Sequence, residues 1–255
     1  MEVQVAELIK IAHQAGQLVL SIYNKSAFQV MSKENDSLLT EADIISNTLI
    51  CDALKTIYPA IPIISEESSQ EYAYEIRKSW QNFFLVDPLD GTKEFVSRNG
   101  EFTINIALIR KDNPIVGVVH APALGITFYA EEGKGAYKIV NKQIVKLSPC
   151  LKTGNKICVV TSRSHASAKI QEFLRALRLQ YSEVVITAMG SALKFGLIAD
   201  GSADIYPRLA PTMEWDTAAG QVIVSEVGKQ MKVFGSEERL KYNKIELVNP
   251  SFIVG

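Results

Sequence analysis

The sequence is short of cysteine, of charge imbalance and of long apolar runs, and each shortage removes a class of protein. Three cysteines, Cys51, Cys150 and Cys158, stand far apart in 255 residues. An odd number at wide spacing suits neither a disulfide framework nor a structural zinc site, so reduced core thiols are expected. With 27 basic against 28 acidic residues, no net field draws the chain to nucleic acid or to an anionic membrane, and an anionic ligand needs a local device. The N-terminus interleaves Glu2, Glu7, Lys10 and His13 with its apolar residues, so neither a secretory signal nor an integral membrane segment is expected. A cytoplasmic location follows, with peripheral association at the inner membrane compatible with it. Repeats and low-complexity segments are also missing. What is plentiful is apolar: 47% of residues are hydrophobic, enough to bury the core of one large domain or two intimate lobes.

Helical periodicity of Val5, Leu8, Ile9, Ala12, Leu18, Val19 and Ile22 predicts an amphipathic first helix, and a second is expected from Thr40–Asp43 to Tyr58. The almost wholly apolar runs 61–65 and 83–87 read as strands buried on both faces, each with acids at its C-terminal end. Strand-like runs at 102–110, 115–121, 127–130 and 136–140 then suggest an antiparallel sheet. From Lys156 the pattern alternates: strand 157–161, helix 166–177, strand 183–187, helix 193–198. The fold class is therefore α/β (α+β), with an N-terminal α+β lobe over residues 1–150 and a C-terminal α/β lobe over 151–255. The boundary is placed in the polar stretch 148–155.

The densest chemical signal is Asp87-Pro88-Leu89-Asp90-Gly91-Thr92-Lys93-Glu94-Phe95. Pro88 is expected to end the ladder and Gly91 to permit a tight turn, so that Asp87 and Asp90 curl toward one point. Two carboxylates so aimed repel unless a cation lies between them, and hard oxygen ligands in a compact turn favour magnesium. Glu66-Glu67 follows the preceding strand, and strand ends of this kind face a common crevice. Asp216, in Glu214-Trp215-Asp216-Thr217-Ala218-Ala219-Gly220, opens a small-residue helix running toward Val227. Taken singly, the turn could be a type I turn, the glutamates a solvated loop and Asp216 a helix cap. Together they suit phosphoryl chemistry, with the amides of Gly91 and Thr92 directed at a phosphate.

These residues, with Asp43 in Leu39-Thr40-Glu41-Ala42-Asp43, resemble the lithium-sensitive, magnesium-dependent phosphatase superfamily that includes inositol monophosphatase and fructose bisphosphatase. The resemblance spans most of the chain. It implies a layered α-β-α-β-α fold, two or three Mg2+ ions, and metal ligands at Glu66, Asp87, Asp90, Asp216 and the carbonyl of Leu89. It also implies that Asp43 and Thr92 orient and deprotonate the attacking water, with Glu67 counted beside them as catalytic, and that no covalent phosphoenzyme forms.

Local variants are similar to the CysQ-type 3′(2′),5′-bisphosphate nucleotidases: Lys93-Glu94-Phe95 after the turn, and Asp204-Ile205-Tyr206-Pro207-Arg208 ahead of Trp215-Asp216. That resemblance implies a small bisphosphate nucleotide as substrate, adenosine 3′,5′-bisphosphate hydrolysed to AMP, with nucleotide loops at Ser162-Arg163-Ser164-His165 and Gly190-Ser191-Ala192-Leu193-Lys194. Substrate contacts are expected from Glu66, Leu89, Asp90, Gly91, Thr92, Lys93, Ser162, His165, Gly190, Ser191, Lys194, Arg208 and Asp216. His13 and His120 attract no functional reading. The alternatives are an inositol- or sugar-phosphate phosphatase of the same superfamily, an aspartyl-phosphate enzyme, and a nucleotide-binding sensor. The Asp-x-x-Asp spacing disfavours the second, and a water-activating pair disfavours the third.

Overall fold

The computed structural model describes residues 2–26, 30–32, 38–148, 154–163 and 168–255. Helix α1 (Val5–Tyr23) carries the expected apolar stripe, and a short antiparallel pair, β1 (Val30–Ser32) and β2 (Leu38–Thr40), leads into α2 (Glu41–Ile57). A seven-stranded sheet follows in sequential order: β3 (Ile63–Ser65), β4 (Asn82–Asp90), β5 (Thr103–Arg110), β6 (Asn113–Ala121), β7 (Ile126–Glu131), β8 (Gly135–Val140) and β9 (Gln143–Lys146). Between β3 and β4 lies the one-turn helix α3 (Tyr74–Arg77), and between β4 and β5 lies α4 (Thr92–Val96). Strands β3 and β4 are parallel, so Glu66 just past β3 and Asp87 and Asp90 in the last part of β4 lie at the same end of the sheet.

Both faces of this sheet are covered, which is why its strands are nearly continuous in apolar residues. Phe84, Val86, Ile104 and Ile106 bury against Leu8 of α1 and Ile50 and Leu54 of α2. Their neighbours Phe83, Leu85, Ala107 and Val119 bury against the opposite layer. That layer consists of α6 (Leu193–Ala199) and α7 (Glu214–Ser225), which supply Phe195, Trp215 and Val222.

The remaining layers are strand and helix again. β10 (Lys156–Ser162) runs parallel to β11 (Glu183–Met189) across α5 (Ala168–Gln180), whose Ile170, Leu174 and Leu177 bury with Ile157 and Val159. Short strands β12 (Tyr206–Arg208), β13 (Thr212–Met213), β14 (Met231–Val233), β15 (Val248–Asn249) and β16 (Phe252–Val254) complete the chain in the orders β12-β16-β14 and β13-β15. The α-β-α-β-α layering is the one the resemblance implied. Of the expected boundary stretch, residues 149–153 lie outside the described ones, as do Cys150 and the first residues of the expected 166–177 helix. Cys51 and Cys158 are free thiols.

Two local expectations need correcting. Pro88 does not end the ladder: β4 pairs with β5 through Asp87↔Asn105, slips by one residue, and resumes at Asp90↔Thr103. The bulge absorbs the missing proline N–H. It also turns Asp87 and Asp90, which a regular strand would point to opposite faces, toward the same side. Asp216 does not open its helix either. Met213 is the N-cap, and Asp216 is the third helical residue, accepting the Met213 N–H at 2.9 Å.

Candidate active site

The Asp87–Asp90 bulge lies on the sheet face covered by α7. Leu89 N–H donates to Asp87 Oδ1 at 3.1 Å, a local turn closed by the carboxylate itself. Ser46 of α2 reaches across to donate to the Pro88 carbonyl at 2.7 Å, pinning the bulge from the other layer. Gly91 then takes a left-handed conformation (φ 88°) and caps the short helix α4. The first residue of that helix is Thr92.

Thr92 meets Asp43. Asp43 is buried at the third position of α2, where its Oδ2 accepts both the Thr40 N–H (2.7 Å) and the Thr40 hydroxyl (2.6 Å), completing a capping box. Its Oδ1 faces the Thr92 hydroxyl at 3.4 Å. The capping contact and the expected catalytic role of this acid are therefore compatible, because each uses a different oxygen.

Around the bulge the acids act on one another. Burial pushes the Asp87 carboxyl well above the usual range, and the charges of Glu66, Asp90 and Asp216 push it further, against the Leu89 N–H. Asp216 is raised to about 8, first by burial, then by Asp90 and Glu66. Asp90 is raised by burial, while Lys194, Asn105 and the Ala192 N–H oppose that rise. Thr103 and Asn105 of β5 lie within 3.4 and 3.3 Å of Asp90 Oδ2. Among the described residues, no three acids, histidines or cysteines close into a ready-made ligand set. The donors nevertheless fit a hard divalent cation: all are oxygens, the charges of Glu66, Asp90 and Asp216 all act on Asp87, and their mutual repulsion is what such an ion would relieve.

Cations complete the site. Lys194 is buried on α6, its ammonium donating to the Met189 carbonyl at 3.4 Å and to the Ser191 carbonyl, with the Tyr206 ring 5.4 Å away. Burial holds its pKa down to about 8, with Asp90 opposing and Arg208 reinforcing the shift. Arg208, at the end of β12, donates to the Pro211 carbonyl at 3.1 Å. Ser191 Oγ, Asn105 Oδ1 and Arg208 Nε are buried without a hydrogen-bond partner among the described residues. Polar atoms left so are costly unless a ligand or water meets them.

The structure thus brings Asp43, Glu66, Asp87, Leu89, Asp90, Gly91, Thr92, Gly190, Ser191, Lys194, Arg208 and Asp216 to one region. A β-carbon built on Gly91 would meet Ser191 at 3.3 Å. Glu67 sits with Glu66 in a 3-10 turn, Glu66–Ser68, and Ser162 ends β10. Lys93 is exposed on α4, and the cation acting on Asp90 is Lys194. His165 lies outside the described residues. Sequence reasoning overlooked Thr103 and Asn105, although two polar residues spaced by two in an apolar strand mark one face and were a usable signal. It also overlooked Glu101, whose partners are far away in the chain.

An alternating helix-and-sheet fold with acids gathered at a bulged strand end, beside a threonine backed by an aspartate, defines a class. The chain belongs to the inositol monophosphatase family, whose profile matches residues 1–251. Among its relatives, the 3′(2′),5′-bisphosphate nucleotidase CysQ of Escherichia coli K12 is 42% identical over 253 residues, covering 97% of this chain and 98% of that one. The enzyme of the same name from Haemophilus influenzae is 34% identical, covering 97% and 91%. The crystal structure of CysQ from Bacteroides thetaiotaomicron superposes with a TM-score of 0.86 at 38% identity, covering 98% and 96%. An IMPase from Thermotoga maritima follows with 0.78 at 25%, covering 97% and 90%.

Proposed function

We propose that this chain is a 3′(2′),5′-bisphosphate nucleotidase that removes the 3′-phosphate of adenosine 3′,5′-bisphosphate, giving AMP and phosphate. The observation that carries the reaction class is the Thr92–Asp43 contact set beside the mutually repelling acids at the β4 bulge. Full-length identity to enzymes named for that activity supports the substrate. The family is one of metal-dependent phosphatases. Two or three magnesium ions held by Glu66, Asp87, Asp90, Asp216 and the Leu89 carbonyl are our reading of which metal and which ligands. Bound there, they supply charge neutralisation for the phosphoryl oxygens and a lowered pKa for the attacking water.

The chain's own residues do the rest. The Thr92 hydroxyl, donating to Asp43 Oδ1, keeps its lone pairs for a proton of the incoming water, and Asp43 carries the charge that this transfer demands. Glu67 flanks the same acids. The water oxygen bonds to phosphorus as the bond to the 3′-oxygen breaks, and that oxygen leaves as the ribose hydroxyl after taking a proton from solvent, which balances the one passed from the attacking water to the Thr92–Asp43 pair. Lys194 and Arg208 offer positive charge, and Ser191 a hydroxyl, to the phosphate that is not cleaved. Ser162 and His165, with Gly190 and Lys93, complete the proposed substrate contacts. In this division of labour residues 1–150, joined by Asp216 of α7, supply the reacting end, and the rest of 151–255 supplies the nucleotide end.

Phosphate release from adenosine 3′,5′-bisphosphate, adenosine 2′,5′-bisphosphate, inositol 1-phosphate and fructose 1,6-bisphosphate, with and without magnesium and lithium, tests the assignment. Magnesium-dependent, lithium-inhibited turnover preferring the bisphosphate nucleotides is expected, and comparable turnover on inositol 1-phosphate removes the specificity claim. Asp90→Asn and Asp216→Asn should each lower turnover by about two orders of magnitude or more while leaving the fold intact. Near-normal turnover in either refutes the ligand set.

A further inference from the structure

Glu101 lies in the connection between α4 and β5, outside every motif discussed above, yet it joins three separate segments. Its Oε2 accepts the Gly190 N–H at 2.8 Å and Arg163 Nε at 3.0 Å, and its Oε1 accepts a second Arg163 nitrogen. The same guanidinium donates to the Ala188 carbonyl at 3.2 Å. Strands β10 and β11 are parallel and end in register at Ser162↔Met189. Arg163 and Gly190 are therefore the first residues past two neighbouring strand ends, and one carboxylate spans both. Ligands of parallel sheets bind outside such ends.

The approach is close. A β-carbon at Gly190 would stand 2.7 Å from the Glu101 carbonyl oxygen and 2.7 Å from Glu94 Cγ, so the approach leaves no room for a side chain at residue 190. Burial works against the Glu101 carboxylate, but the Arg163 guanidinium and the Gly190 N–H outweigh it and hold its pKa below the usual carboxylate range. Glu101 itself is largely covered, with 14% of its side chain exposed. Immediately past Gly190 come Ser191 in a left-handed conformation (φ 46°), the Ala192 N–H that serves Asp90, and the buried Lys194. The loop is thus held at one end by Glu101 and at the other by Asp90.

We propose that Glu101 is a positioning residue that sets selectivity for a nucleoside bisphosphate, by clasping the Gly190–Lys194 loop and the end of β10 to the segment that follows the Asp87–Thr92 turn. This rests on the bisphosphate nucleotidase reading. The clasp aligns the groups proposed for the uncleaved phosphate with the acids around the cleaved one. A substrate lacking the second phosphate does not use that alignment.

The test is kcat and KM of Glu101→Ala and Glu101→Gln on adenosine 3′,5′-bisphosphate and on β-glycerol phosphate, with amide exchange of segment 186–194 followed by mass spectrometry. Glu101→Ala should raise KM for the bisphosphate about tenfold, with kcat and β-glycerol phosphate turnover changed less than about threefold, and should speed exchange in that segment. Glu101→Gln still accepts the Gly190 N–H and should fall between. Adding Arg163→Ala to Glu101→Ala should cost little beyond the larger single effect; multiplicative losses would mean independent action and overturn the clasp. Equal losses on both substrates, or an unchanged KM in a folded Glu101→Ala protein, also overturn it. If the wild-type chain does not hydrolyse the bisphosphate, the functional reading fails by itself. The clasp then stands on exchange alone, and unchanged exchange in Glu101→Ala refutes it.

Discussion

Asp43 joins a structural contact and the proposed chemistry in one side chain. Oδ2 is committed to Thr40, which starts α2, and Oδ1 is turned to Thr92. An asparagine can keep its carbonyl oxygen on Thr40 and present its NH2 to Thr92, where it can no longer accept the hydroxyl proton. Asp43→Asn should therefore change stability by no more than about 1 kcal/mol in urea unfolding while lowering kcat by about 10²- to 10⁴-fold. If stability and turnover fall together, the acid is structural. At this scale the sequence was informative about the acids of the motif, whose order and spacing are local, offered for Asn105 only its spacing from Thr103 along an apolar strand, and was silent about Glu101, whose partners Arg163 and Gly190 lie on distant segments.

Helix α7 carries Asp216 to the site by lying directly on the sheet. At the crossing, a β-carbon on Gly117 of β6 would stand 2.4 Å from the Ala219 carbonyl oxygen, and one on Gly220 would stand 2.2 Å from the Phe195 ring. The N-terminus of α7 is anchored separately: the fully buried Glu214 accepts the Asn243 N–H at 2.7 Å and the Lys244 N–H at 3.0 Å, and pairs with the Lys244 ammonium. Gly117→Ala forces the helix away from β6 while this anchor resists. It should destabilise by about 1–3 kcal/mol in denaturant titration and lower turnover through displaced Asp216. Unchanged stability would show that the layers are looser than the structure has them. Element types were readable from periodicity. The β4 bulge was not, because a register slip depends on the partner strand.

At the scale of the whole molecule, stability should depend on acid through a pair of histidines far from the motif. His13 of α1 and His120 of β6 have ring centroids 4.6 Å apart, and both contact the Thr127 hydroxyl, at 2.8 and 3.0 Å. Burial, then the charge of His13, lowers the His120 pKa from 6.5 to about 4. The unfolded chain binds this proton first. The contribution is therefore whole above pH 6.5 and is lost as pH falls from there toward 4, on the order of 3 kcal/mol for complete loss. A His120→Gln protein should show a flatter decline in thermal midpoint between those values, and an identical decline would place the acid sensitivity elsewhere. Divalent cations should act oppositely, since any ion that binds the native acids stabilises by about 2.7 kcal/mol at a hundredfold excess over its Kd. Chelation should lower the midpoint in the wild type and much less in Asp90→Asn.

No described helix is long and apolar enough to cross a membrane, in keeping with the charge interleaved through α1. The sequence by itself determined the main helices and most strands of the large sheet, that both faces of that sheet are covered, and which acids to propose for the reacting end. Those properties are written in periodicity and in motifs a few residues long. Only the tertiary structure decided that a bulge aims Asp87 and Asp90 the same way, that Asp43 divides its oxygens between Thr40 and Thr92, and that Glu101 ties Arg163 to Gly190. Each of these depends on which distant backbone lies within 3 or 4 Å. That distance is set by how layers pack, and no local spacing of residues encodes it.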